Sequence, residues 1–217
     1  MLFETLPVGP LQCNCVVLGD EASREGVVID PGDQAERIED VLDQGKLDLK
    51  YILHTHGHID HVLAADHLRR RRGGTVCIHE SDRFLWEGVQ MQGSFLGLRV
   101  EPPGQVDRFL KEGDVIPFGP HRLKVIETPG HTPGSVCFHL ERPPLIFTGD
   151  TLFSRGIGRT DLWGGSYPGI LASIRDRLFT LDEETLVHPG HGPGSTIGEE
   201  RRANPFRRDI VQPPVSP

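Results

Sequence analysis

Residues 54–61 read HTHGHIDH, which sets His54, His56, His58, Asp60 and His61 into eight positions. A run so dense in metal donors constrains the fold more than any other stretch, because its side chains must converge on ions instead of alternating between core and solvent. The apolar Tyr51–Leu53 before it reads as a strand, and a helix is predicted from about Asp60 to Arg72, stopped by Gly73 and Gly74. In extended backbone, residues two apart point to the same side, so His56 and His58 offer two imidazoles to one metal. The turn into the helix redirects Asp60 and His61, which can then serve a second cation. His54 reads as an outer or packed histidine, since the ligand sets fill without it.

Three single residues complete the set: His131 in TPGHTPGS, Asp150 in FTGD and His191 in HPGHG, each at a predicted strand end beside Gly or Pro. Loops gathered at one edge of a sheet core can bring these donors together. With His56, His58 and His131 on one divalent ion, and Asp60, His61 and His191 on another, Asp150 is left to bridge them, with room for a water between. Two divalent cations, two carboxylates and one hydroxide leave about +1, which suits an anionic tetrahedral intermediate. Zinc is the first choice of metal, and iron or manganese accept the same donors. A purely structural zinc site is disfavoured, because none of Cys13, Cys15, Cys77 and Cys137 lies in a ligand motif. His67, His79, His121, His139 and His188 stay outside the site.

Short β-branched runs predict strands at Cys15–Leu18, Gly26–Ile29, Thr75–Ile78, Leu123–Ile126, Val136–Leu140, Leu145–Phe147 and Thr185–Val187, besides Tyr51–Leu53. Apolar spacing predicts further helices over Asp33–Gln44 and Ile170–Leu181. Strands mixed with amphipathic helices indicate a layered α/β or α+β fold. The chain of 217 residues has no internal repeat or linker, which predicts one domain over 1–210 with a frayed tail at 211–217. With 26 glycines and 18 prolines it is loop-rich, and the longest loop is expected over Gln90–Gly104 as a candidate lid. A net charge of −8 disfavours nucleic acid and anionic membranes as partners, and points to a small molecule instead. Arg69–Arg72 reads as a solvated helix end. No basic leader precedes an apolar stretch, no apolar run approaches membrane-spanning length, and the cysteines read as buried thiols, so a cytoplasmic protein is expected, with homo-oligomerisation left open.

Taken in order, HTHGHIDH, TPGHTPGS, FTGDTLF and HPGHGPGS resemble the motifs of the metallo-β-lactamase superfamily, most closely the short glyoxalase II-like (hydroxyacylglutathione hydrolase-like) enzymes. The resemblance extends from Asp30–Gly32 to GEERRANPF near the end. It implies a four-layer αβ/βα sandwich with a dinuclear site at one edge, and the same ligand grouping of His56, His58 and His131, then Asp60, His61 and His191, with Asp150 between. It also implies that Asp30 orients a ligand from outside, although an Asp before Pro31 is equally a turn residue. The implied activity is hydrolysis of S-lactoylglutathione or a related acyl thioester by a metal-bridging hydroxide, with Asp60 and Asp150 in the catalytic set. Where the long glyoxalase II enzymes carry Lys and Tyr after the bridging Asp, this chain reads GIGRTDLWGG. Arg159 there can bind a substrate carboxylate or pair with Asp161. The GRTD segment also resembles the persulfide dioxygenase branch, which implies one Fe(II) on His56, His131 and Asp150 as the alternative. The ending HGPGSTIGEERRANPF is nearer to the hydrolases.

Overall fold

In the computed structural model, which describes residues 1–212, the first half of the chain builds one six-stranded sheet from β1 (Leu2–Val8), β2 (Cys13–Gly19), β3 (Glu25–Ile29), β4 (Asp48–Leu53), β5 (Thr75–His79) and β6 (Arg108–Leu110), in that spatial order. Hairpins join the antiparallel β1, β2 and β3, while β3 to β6 run parallel and need crossovers. The crossovers hold α1 (Ala35–Gln44), α2 (Ala65–Arg72), α3 (Arg83–Glu87) and α4 (Val89–Phe95).

A second sheet follows, from β7 (Val115–Phe118), β8 (His121–Glu127), β9 (Val136–Leu140), β10 (Leu145–Gly149), β13 (Leu186–Pro189) and β14 (Ser195–Thr196). Between its fourth and fifth strands in sequence lie the small hairpin β11 (Leu152–Phe153) and β12 (Gly156–Ile157), then α5 (Tyr167–Ser173), which continues as one wide turn over Ile174–Leu178. The last helices are α6 (Ile197–Ala203) and α7 (Arg207–Val211).

Strand β2 shows why these layers stack, because all seven of its residues are buried. Cys15 and Val17 face a core shared with Ile38 and Leu42 of α1 and Leu68 of α2. Val16 and Leu18 face the opposite way, into a core with Phe118, Phe138 and Phe147 of the second sheet. A strand apolar on both faces must be covered twice. On the far side of the second sheet, Cys137, Ile146 and Val187 pack on Ile170, Ile174 and Ile197. The order is therefore helices, sheet, sheet, helices, the mixed α/β sandwich expected.

The predicted strands all fall on observed ones, with the last shifted to Leu186–Pro189. Three expectations are corrected. The helix from Asp60 starts instead at Ala65, because Ile59–His61 form a single tight turn and the Ala64 amide donates to Pro31 O at 2.9 Å. The Gln90–Gly104 loop is helical through Phe95, since Val89 and Gln92 are buried there. Val211 is the last residue of a helix, so regular structure runs one residue into the expected tail, of which 213–217 lie outside the described residues. The four consecutive arginines at the end of α2 meet Asp107, Asp66, Glu39 and Asp43 in turn. Among the described residues no helix is long and apolar enough to cross a membrane.

Candidate metal centre

Strand direction brings the donors to one edge. Asp30 follows β3, the HTHGHIDH segment follows the parallel β4, and His131 lies in the loop after β8. Strands β8 and β10 are both antiparallel to β9 and so point the same way, with β13 parallel to β10. Asp150 comes directly after β10 and His191 just after β13. All seven donors thus leave the carboxyl ends of strands, where open α/β sheets place ligands.

His56 Nε2 and His58 Nδ1 lie 3.2 and 2.9 Å from His131 Nε2. The other ring nitrogens of His131 and His56 are committed elsewhere. His131 Nδ1 donates to Arg159 O at 2.8 Å, and His56 Nδ1 donates to Thr55 Oγ1, whose own hydrogen goes to Asp30 Oδ2. These bonds fix the tautomers of His131 and His56, so their bare Nε2 lone pairs face each other and a cation between them relieves their repulsion.

The second set is Asp60, His61 and His191. His191 Nε2 is 3.2 Å from Asp60 Oδ2, and its Nδ1 donates to Leu11 O. His61 Nε2 lies 3.5 Å from Asp60 Oδ2, while its Nδ1 sits 3.1 Å from Asp30 Oδ2 and 3.4 Å from Cys13 Sγ. Asp150 stands between the sets, with Oδ2 at 3.6 Å from His131 Nε2 and Oδ1 at 3.6 and 3.7 Å from His61 and His191 Nε2. His61 Nε2, His58 Nε2 and Asp150 Oδ1 are buried with no hydrogen-bond partner. Orphaned His61 Nε2 and Asp150 Oδ1, within the converging ligand groups, fit a pair of divalent cations.

Asp30, buried and bonded to Thr55 N, Thr55 Oγ1 and His61, meets the second set directly and reaches His56 of the first through Thr55 Oγ1. Arg159 is the only Arg or Lys lining the cleft above the centre among the described residues, and its guanidinium forms a two-pronged pair with Asp161 at 2.7 and 2.8 Å. The cleft holds about 530 Å³, and its outer walls are Leu11, Phe95, Leu96 and Trp163. Phe95 meets Trp163 edge-on at 5.9 Å. Phe95 and Leu96 fall in the Gln90–Gly104 stretch expected as a candidate lid, whereas Leu11 and Trp163 were not singled out from the sequence. The six remaining histidines stay out of the ligand groups, and His54 packs on Trp86 with Nδ1 toward His61 O.

The two sets differ electrically. Burial, then the neighbouring imidazoles, pushes His56 well below its ordinary value and His58 down to about 3, which leaves their lone pairs free. Burial opposes charge on His61 too, yet Cys13, Asp60, Asp30 and Asp150 outweigh it and raise that imidazole. Burial likewise works against Asp60, but His61 and His191 hold its carboxyl well below the usual range. A pocket that draws a proton onto His61 is one that demands positive charge.

The buried histidines also set an expected pH response. Burial brings His54 down to about 4 from 6.5. Its folded value lies below the unfolded one, so the unfolded chain takes up the proton first and stability falls as pH drops from 6.5 toward 4. The loss from His54 alone is about 3 kcal/mol. Urea unfolding of chelator-treated protein across that range should show it, and His54→Asn should flatten the slope. A slope unchanged by the substitution contradicts the assignment.

A family model described as the metallo-beta-lactamase superfamily matches residues 8–191. The hydroxyacylglutathione hydrolase GloC of Haemophilus influenzae is 38% identical over 208 residues, covering 95% of this chain and 98% of its own. Human mitochondrial persulfide dioxygenase ETHE1 is 36% identical over 202 residues, 90% of this chain and 72% of that one. Among solved structures, TTHA1623 in a di-iron-bound form superimposes with a TM-score of 0.86 at 38% identity, over 94% of this chain and 99% of that one.

Proposed function

The chain belongs to the metallo-beta-lactamase superfamily, and from that premise we propose that it is a dinuclear metal-dependent hydrolase of acyl thioesters, of the hydroxyacylglutathione hydrolase type. The observation that carries this reading is Asp150, whose two oxygens are divided between two sets of candidate ligands. His56, His58 and His131 would hold one ion and Asp60, His61 and His191 the other. Zinc is proposed first, while the di-iron form of a similar structure supports iron as well. When bound, such a pair supplies Lewis acidity and an activated water at neutral pH.

The chain's own residues do the rest. Arg159 O and Leu11 O fix the tautomers of His131 and His191, so both Nε2 atoms face the cleft. Asp60, held ionised, serves as a ligand and a negative charge, not as a proton donor. Leu11, Phe95, Leu96 and Trp163 exclude water around an acyl group placed over the centre. Arg159 and Asp161 are exposed, and such pairs are worth only about 0–1 kcal/mol, so a substrate carboxylate can exchange for Asp161 at low cost. The proposed partner is a small thioester such as S-lactoylglutathione. The four cysteines are free and buried, which supports a reducing, cytoplasmic setting.

The likeness to ETHE1 supports one other reading, a persulfide dioxygenase with a single Fe(II) on His56, His131 and Asp150. A metal assay on the purified full chain, with lactoylglutathione hydrolysis and persulfide oxidation measured in parallel, separates the two. About two metals per chain with thioester cleavage is expected. One iron per chain with oxygen uptake on glutathione persulfide overturns the hydrolase.

A further inference from the structure

We propose that Asp82 is a positioning residue that clamps the two loops carrying His56, His58 and His131, and so presets the first metal site in preference to the second. The inference rests on the dinuclear reading above.

Asp82 follows the carboxyl end of β5, at the same edge as the ligands, and is fully buried. Its Oδ2 accepts from Gly57 N at 2.8 Å and from Thr132 Oγ1 at 2.7 Å, and its Oδ1 accepts from Gly134 N at 2.6 Å. Gly57 lies between His56 and His58, in the loop after a first-sheet strand. Thr132 and Gly134 follow His131, in the loop after a second-sheet strand. One carboxylate therefore ties together two loops from opposite sheets, and the three histidines brought into register are those of the first set.

The glycine in each motif gains a reason. A Cβ on Gly57 would sit 2.8 Å from Leu85 Cβ and 3.1 Å from Asp82 O. One on Gly134 would lie 2.7 Å from Asp82 Cγ and Asp82 N. Both loops must approach the Asp82 turn too closely for any side chain there. Gln92 of α4, also buried, holds the first loop from its other flank: Oε1 accepts from Ile59 N at 3.0 Å and Nε2 donates to Gly57 O at 3.1 Å. Asp60 and His61 lie on the same loop, but among the described residues the hydrogen bonds of Asp82 and Gln92 reach no atom of Asp60, His61 or His191, so the effect is predicted to be selective.

Asp82→Asn keeps the shape but has one acceptor oxygen, whereas the donors occupy two, so its amide must confront an N–H or O–H. With the full chain loaded with Zn²⁺ and competed with a chromophoric chelator, one of the two equivalents is expected to weaken 10- to 100-fold, the usual effect of losing an outer partner, with the other within about threefold. Thr132→Val, which removes one donor and risks the fold less, should weaken the same equivalent about fivefold. Loss of folding stability with both equivalents unchanged, or both weakened alike, overturns the clamp and leaves a merely structural carboxylate. If the wild type takes up only one ion, the dinuclear reading fails on its own. The clamp then stands if that ion weakens tenfold or more in Asp82→Asn, and falls if it does not.

Discussion

Replacing Asp150 with Ala is expected to lower kcat for thioester hydrolysis on the order of 10³-fold and to release metal from both ligand sets together. Asp150 divides its oxygens between the sets: one is directed at His131, the other at His61 and His191. Its Oδ1 is buried without a donor, an arrangement that costs free energy in the bare protein and becomes favourable against a cation. The substitution removes one negative charge and one ligand atom from each set. Lewis-acid stabilisation of a developing oxyanion is worth several kcal/mol, and about 4 kcal/mol corresponds to 10³ in rate. Asp150→Asn should fare little better, because its NH₂ would supply donors where an anion is required. Since the side chain lies at the rim of the cleft, 14% exposed, the fold should survive. Metal content and turnover measured on one preparation decide the matter. A variant holding two ions and turning over within tenfold of wild type would sink the bridging role.

The seven candidate ligands could be picked out because metal chemistry writes itself in residue type, and the fold brings them together. Three imidazoles and a carboxylate within residues 56–61 have no ready core or surface explanation, and His131, Asp150 and His191 each follow an apolar run that reads as a strand. What the sequence hid is whatever depends on a backbone partner far along the chain. Asp82 sits in the unremarkable HESDRF, and its donors are amides of residues 25 and 52 positions away. Helix α4 was hidden for a related reason. Gly93 and the polar QMQGS obscure its periodicity, and it is held by Gln92 reaching back to Leu85 O and Gly57 O. Edge strand β1 contains Pro7 and alternates poorly, yet seven consecutive residues pair with β2. Arg159 was an open choice between two partners, and the structure pairs it with Asp161. Order along a strand is local and could be read, while loop-to-loop contact across the two sheets is not.

Asp60→Asn is expected to leave one metal per chain and to reduce hydrolysis about 10²- to 10³-fold, comparable with loss of a preorganised charged group at a reacting centre. It is the cleaner probe of the second set. His61 is fully buried, so truncating it also opens a cavity, whereas the Asp60 side chain is 20% exposed and Asn matches its shape. The carboxylate faces the Nε2 atoms of both His61 and His191, so its neutral counterpart leaves two imidazoles without the charge that orders them. A dioxygenase using only His56, His131 and Asp150 makes a different prediction, because none of its ligands is altered and oxygen uptake should stay within a few-fold. The comparison requires metal analysis beside both assays, since a second ion retained by His61 and His191 alone would mimic tolerance. Thioester turnover near the wild-type rate in an Asp60→Asn protein shown to carry a single ion would mean that one metal suffices, and the dinuclear hydrolase would have to be abandoned.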